Sequence, residues 1–306
     1  MELDVRRMRL LREVAERGTM TAAAEALSYT PSAVSQQLAA LEKGVGMPLL
    51  ERHGRNVVLT DAGRALVEHT AHVLEALERA EVAVTRTGSD VAGVAHLGVF
   101  ESSVPSVVVP VIETMAVRYP DVDIRLIQSD DIVDFRALRL GELDLAIAQQ
   151  YSHVPVELRT DLAFTELLTE GMFLVVPEGT CADGLDPAEL SRLGWIAEGE
   201  HPCGMATVGF CRAVGFEPEV RYWIEDFASM LRIVQAGLAA TVLPHLALLD
   251  PPKGIQAIPL DRTQWNRTLL VAARPGSVGH PVLAAVTEAL IGRGRQLEAE
   301  LNHLAR

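Results

Sequence analysis

Apolar residues at Leu3, Leu10, Leu11 and Val14, joined by Met8 and Ala15, recur at a spacing that predicts a helix over 3–16. Gly18 follows in the position favoured for a left-handed helix cap. A second helix is predicted from Thr21 as N-cap, kept thin by Ala22, Ala23, Ala24 and Ala26, with Glu25 near its positive end. Thr30 caps a third helix, with Pro31 in the first helical position, where a missing N–H costs nothing. Val34, Leu38 and Leu41 share one face of it. The opposite face carries Ser32, Ser35, Gln36 and Ala39, which are short or polar. Leu49-Leu50-Glu51-Arg52 and Asn56-Val57-Val58-Leu59 read as a hairpin around Gly54. Thr60 then caps a long helix over 61–87, with Leu66, Val73, Leu77, Ala80 and Val84 at helical spacing.

Beyond Gly88-Ser89-Asp90 the pattern changes to alternating strands and helices. Strands are predicted at 94–100, 122–128 and 143–148, with helices at 105–118 and 131–140 between them. A second set opens with MFLVVP at 172–177 and continues with helices at 186–193, 204–214 and 226–236. Its further strands fall near 219–224 and 239–243, then a late strand at 268–274 and a closing helix at 280–304. Such alternation implies parallel sheets with helical cover. Two sets with a late return imply two lobes with a cleft between them.

The first 60 residues therefore read as a helix-turn-helix with a β-hairpin wing, which places one helix in the DNA major groove. A short polar face suits that task, because long side chains would hold the backbone away from base edges. An ordinary amphipathic helix would share that face; the ordered succession of helix, turn, capped helix and wing is what distinguishes the two. The long helix from 61 is expected to pair with a second copy, the alternative being that it lies along the α/β body of its own chain.

Charge complicates this picture. The 306-residue chain carries a net charge of −14, yet residues 1–60 hold eight Arg and Lys against seven Asp and Glu. That local balance of +1 leaves about −15 for the remainder. DNA contact must come from placement, as with Arg52 and Arg55 beside the wing turn, while an acidic body is pushed away from phosphate. The two lysines, Lys43 and Lys253, stand against 25 arginines, a bias that reads as a GC-rich genome and not as function.

Composition excludes other classes. With 49% hydrophobic residues the chain is no disordered protein. The longest weakly polar run, Leu238–Leu249, is interrupted by Thr241, Pro244 and His245 and is too short for a membrane span. The opening MELDVRRMRL puts charges where a signal peptide has its apolar segment, so the cytoplasm is the expected compartment. Three cysteines, Cys181, Cys203 and Cys211, form no disulfide framework. No Walker loop, nucleophile elbow, GxGxxG or HExxH is present, so no enzyme is expected. His201, Cys203 and Cys211 lack a fourth ligand at a known zinc spacing, so neither a metal nor a cofactor is expected.

The string TAAAEALSYTPSAVSQQLAALEKGVGMPLLERHGRNVVLTDAG resembles the DNA-binding region of the LysR-type transcriptional regulators. LGELDLAIA (140–148) and VQAGLAATVLPHLAL (234–248) resemble that family's effector domain, which looks like a periplasmic binding protein. The likeness extends over essentially the whole chain and is strongest in 18–63. It implies an α/β protein made of a winged helix-turn-helix (1–60), a linker and dimerisation helix (61–88) and a two-lobed effector-binding domain (89–306). Lobe I would be 89–165 with 267–306, and lobe II 166–266. Departures are Leu50 where the family usually has Phe, Gln36 where a basic residue is common, and Ala239-Ala240 where a glycine is frequent.

What the resemblance implies is binding to double-stranded DNA at promoter inverted repeats, as a homo-dimer or homo-tetramer, in response to a small-molecule effector. Thr30, Pro31, Ser32, Ser35, Gln36 and Gln37 would lie in or beside the major groove, with Arg52 and Arg55 on phosphates or in the minor groove. Gln and Ser can bond base edges, and Arg suits a narrow minor groove. The effector would sit outside the carboxyl ends of the strands. Its candidate contacts are Ser102, Ser103, Ser129 and Gln149 from one lobe and Pro202, Cys203 and Gly204 from the other. With no Arg or Lys at those points, a neutral, zwitterionic or monoanionic effector is expected before a dianionic one. Two alternatives stand beside this reading. One is a thiol-based redox sensor of the same family using Cys203 and Cys211; the other is a solute-binding protein without a DNA role.

Overall fold

The computed structural model describes residues 3–53, 56–88, 90–128, 135–154, 158–180, 186–197 and 202–304, without the side chains of Arg52, His53, Asn56, His303 and Leu304. Two compact units divide the chain: residues 1–89 with 139–141 and 274–281, and residues 90–138, 142–273 and 282–306.

The first unit opens with α1 (Val5–Arg17), capped by Asp4, whose carboxylate accepts from the amides of Arg6 and Arg7. Gly18 closes it at φ 75°, a left-handed conformation that favours glycine. α2 (Met20–Ala26) starts two residues earlier than the Thr21 cap implied. Its N-cap is Thr19, whose hydroxyl accepts from the Ala22 amide at 3.1 Å. α3 (Pro31–Val45) is capped by Thr30 and begins with proline, as its sequence implied. The wing consists of β1 (Leu50–His53) and β2 (Asn56–Leu59), antiparallel with Leu50 opposite Leu59. α4 (Asp61–Thr85) follows from the Thr60 cap. Met8, Leu10, Leu11, Val14, Ala23, Ala24, Val34, Leu38, Leu41 and Leu49 form the shared core. Farther along α4, Leu77 and Val84 are exposed. Exposed apolar side chains at helical spacing suit a helix-pairing seam.

The second unit is built on a seven-stranded sheet. Its strands are β3 (Gly93–Val99), β4 (Val122–Gln128), β5 (Leu145–Tyr151), β6 (Ala163–Pro177), β9 (Thr241–Pro244), β10 (Ile255–Pro259) and β11 (Asn266–Ala273). The order is β10-β6-β11-β5-β3-β4, with β9 also on β6. Only β3 pairs in parallel, with β4 and β5; every other pair in this sheet is antiparallel. The sheet is therefore mixed, which corrects the all-parallel expectation. The reason is β6, a 15-residue strand of which only the apolar end at 172–177 was expected. It pairs with β11 up to Gly171 and with β9 and β10 from Met172 onward, joining two lobes.

Each lobe has its own core. One gathers Ala95, Leu97, Val99, Leu145, Ile147 and Leu269 under α5 (Val109–Arg118) and α10 (Pro281–Leu304). A π-helical turn at Val104–Val108 leads into α5, so the predicted helix over 105–118 is irregular at its start. α7 (Pro187–Leu190) covers less than the helix expected at 186–193, and α6 (Arg136–Leu140) lies in the helix expected at 131–140, of which 131–134 fall outside the described residues. The second core joins Val175, Val242 and Leu243 to α8 (Pro202–Ala213) and α9 (Phe227–Gln235). A small parallel sheet of β7 (Gly194–Ile196) and β8 (Glu219–Tyr222) flanks it. β7 and β10 went unpredicted, the first being only three residues long.

Candidate functional site

The sequence marked two regions, and each lies within one compact unit. In the first, α3 buries Val34, Leu38 and Leu41 and leaves Pro31, Ser32, Gln36 and Gln37 exposed, with Ser35 half-buried. Thr30 Oγ1 accepts from the Ala33 amide at 3.2 Å and lies 3.0 Å from Ser32 Oγ. These contacts hold both hydroxyls at the helix start. Gln37 is engaged: its Oε1 accepts from Arg7 Nε at 3.0 Å. A cation from α1 thus stands beside the exposed face of α3, a neighbour that sequence reasoning missed because 30 residues separate the two. Arg55 and the Arg52 side chain lie outside the described residues.

In the second region, Arg267 forms the centre. It stands on β11 directly opposite Glu170 on β6, one residue before β6 changes partners. Both side chains are fully buried. Arg267 donates to Glu170 Oε1 through Nε (2.8 Å) and Nη2 (2.6 Å), to Ser102 Oγ through Nη2 (3.1 Å) and to Gln149 Oε1 through Nη1 (3.1 Å). The rings of Phe100 and Tyr151 lie 5.3 and 5.9 Å from its guanidinium carbon. Glu170 Oε2 in turn accepts from the Leu246 amide at 2.7 Å. The Tyr151 hydroxyl donates to Gln149 Oε1 at 3.3 Å and also reaches Cys203 at the start of α8.

Electrostatics follow from burial. Desolvation, the largest single effect on Arg267, would lower its pKa, but the Glu170 carboxylate together with Tyr151 and Cys203 outweighs it, so the net direction is upward. Tyr151 is pushed well up, first by its own burial. The pair is thus an internal salt bridge, satisfied on both sides by neutral hydrogen bonds.

Of the candidate effector contacts, Ser102, Gln149 and Cys203 converge on this cluster. Gln149 lies within β5 and not beyond its end. Ser103 is buried and spends its hydroxyl on the Phe100 carbonyl at 2.7 Å, outside the cluster. Pro202 and Gly204 are buried in the first turn of α8. Ser129 lies outside the described residues. Arg267 itself overturns the expectation that no basic residue stands at these points. Sequence reasoning missed Arg267 and Glu170 because their chemistry exists only across a strand pair 97 residues apart.

Cys203 and Cys211 are both buried on α8. Eight residues apart on one helix, they are separated by roughly 12 Å along its axis. Burial pushes the Cys211 thiol up to about 12. His201 and Cys181 lie outside the described residues. Among the described residues no three His, Cys, Asp or Glu side chains cluster to hold a metal, and no helix is long and apolar enough to cross a membrane.

Comparison with known proteins places these features. Residues 5–64 match the family described as bacterial regulatory helix-turn-helix protein, lysR family, and residues 88–295 match the LysR substrate binding domain. The nitrogen assimilation regulatory protein nac of Escherichia coli is 26% identical over 247 residues, covering 80% of this chain and 79% of that protein. A full-length OxyR variant from Pseudomonas aeruginosa shares the fold, with a TM-score of 0.65 at 21% identity over 96% of this chain and 98% of that one. Full-length CbnR complexed with its target DNA does so with a TM-score of 0.53 at 21% identity, over 95% of this chain and 100% of that one.

Proposed function

Because the chain belongs to the LysR family of DNA-binding transcriptional regulators, each with a helix-turn-helix and an effector-binding domain, we propose that it is a cytoplasmic, non-enzymatic regulator whose effector binds at the Arg267 cluster. The observation that carries the reading is the convergence of Ser102 from the end of β3 and Gln149 from β5 on one guanidinium, with Tyr151 bridging to Cys203 on α8. A molecule bound there touches both lobes and can favour one arrangement of them over another, which is what regulation by a ligand requires. Two-fold protein symmetry, supplied by α4 pairing in a dimer or a dimer of dimers, demands an imperfect inverted repeat in the DNA.

On the DNA side, Thr30, Pro31, Ser32, Ser35, Gln36 and Gln37 are proposed at the major groove, with Arg52 and Arg55 at the backbone or minor groove. Gel retardation of upstream DNA by the full chain tests this. Ser35→Ala or Gln36→Ala should relax sequence preference, whereas Arg52→Ala or Arg55→Ala should weaken all sites and flatten the salt dependence. On the effector side, Ser102→Ala should abolish the response to any compound that stabilises the protein in a thermal-shift screen, with DNA binding retained. A normal response in Ser102→Ala would move the effector site elsewhere.

A further inference from the structure

Glu170 occupies the side of Arg267 that a bound carboxylate would claim. Two of the guanidinium's donors, Nε and Nη2, converge on one Glu170 oxygen, and the other oxygen is held by the Leu246 amide. An Arg presented to an anionic ligand keeps its fork open toward the ligand. Here the fork is closed from within, and both partners are fully buried.

A second carboxylate adds to this. Glu101 precedes Ser102 and is half-buried, with its Oε2 accepting from the Phe227 amide at the start of α9. Among the described residues, Ser102 thus has the mutually neutralised Arg267–Glu170 pair on one side and the Glu101 carboxylate next to it in the chain. A further anion would meet an arginine whose charge Glu170 already balances, with little water to screen it.

The polar groups left for a ligand are neutral donors. Ser102 Oγ accepts from Arg267, so its own O–H can point elsewhere. Gln149 Oε1 accepts from both Arg267 and Tyr151, so its Nε2 amide has no partner among the described residues. The buried rings of Phe100 and Tyr151 pack against the Arg267 guanidinium and give the pair an apolar surround.

We propose that the seat beside Ser102 and Gln149 takes an uncharged molecule that accepts hydrogen bonds through a carbonyl or amide oxygen, with Glu170 acting as a built-in substitute for an effector carboxylate. The proposal rests on the reading of this cluster as the effector site.

The test uses the full-length protein, acetate as a carboxylate probe and acetamide as its neutral counterpart, with chloride at equal ionic strength as control. In thermal melts, acetate should leave the wild-type midpoint where chloride leaves it. Glu170→Ala should melt lower, and acetate, but not acetamide or chloride, should restore part of the loss. Adding Arg267→Met to Glu170→Ala should remove that rescue. If Glu170→Ala does not fold, Glu170→Gln should gain an acetate response that the wild type lacks. Matched acid and amide pairs titrated into the wild type should favour the amide by about tenfold or more. Acetate stabilising the wild type, a carboxylate binding it tighter than the matching amide, or acetate failing to rescue Glu170→Ala each overturns the proposal. Failure of the underlying reading shows differently, as wild-type DNA retardation that no stabilising compound alters.

Discussion

The Glu42 carboxylate reaches from α3 to the Leu49 amide at 2.8 Å, and the same oxygen accepts from the Leu50 amide at 3.1 Å. Leu49 precedes β1 and Leu50 opens it, so this one side chain ties the start of the wing to the helix proposed to read DNA. Glu42→Ala leaves two amides without their acceptor in a half-buried place. A loss of about 1–3 kcal/mol in stability is expected, read by chemical denaturation of the full chain. DNA binding should weaken in parallel. An unchanged denaturation midpoint would show that water replaces the carboxylate there.

Gly63 lies in the first turn of α4, where a Cβ would stand 2.1 Å from the Leu49 carbonyl oxygen. Alanine gains about 1 kcal/mol in helix propensity over glycine. The obstacle is backbone and cannot rotate away, so the overpacking cost of typically about 1–3 kcal/mol should win. Gly63→Ala should therefore lower the melting temperature and loosen the wing. A rise in melting temperature would mean that Leu49 shifts freely.

Removing one member of the Arg267–Glu170 pair leaves a buried, unmatched charge, which typically costs about 3–5 kcal/mol. Arg267→Met alone and Glu170→Leu alone should each destabilise strongly, whereas the double variant should recover most of the loss. Denaturation of all four proteins closes the cycle. Strictly additive losses would show that the two side chains do not act as a pair.

Cys211 should prove inert, and no disulfide between Cys203 and Cys211 should take part in regulation. Its thiol is fully buried and pushed up to about 12 from an ordinary 9.0, so thiolate is scarce at neutral pH. As pH rises from 9 toward 12, the thiol ionises in the unfolded chain but not in the folded one, so its contribution to stability is present below 9 and is lost across that window. Peroxide treatment followed by mass spectrometry should find no stoichiometric Cys203–Cys211 disulfide. Such a bond, altering promoter occupancy, would restore the redox reading; it requires Cα atoms within about 7 Å and hence unwinding of α8.

The parts that were legible in the sequence are those stabilised within a few residues of themselves. Thr30 caps α3 and Pro31 opens it, Gly18 ends α1 in the left-handed region, and Val34, Leu38 and Leu41 form the buried stripe, all from spacing alone. Even there, Thr19 took the cap expected of Thr21, since two threonines two residues apart compete for one role. Ser102 and Cys203 were legible as polar or small residues at a strand end and a helix start, whereas Gln149, expected at a strand end, lies within β5; what the three share was not legible.

The sequence alone determined a winged helix-turn-helix, a long helix and an alternating α/β body, because helix caps and apolar periodicity are local and carry their own free energy. Tertiary structure alone decided that the sheet is mixed and that β6 runs through both lobes. The segment from Ala163 to Gly171 alternates too weakly to look like a strand until β11 lies beside it. It alone placed Glu170 opposite Arg267, since two charges become a buried pair only when strand register sets them face to face and excludes water from both.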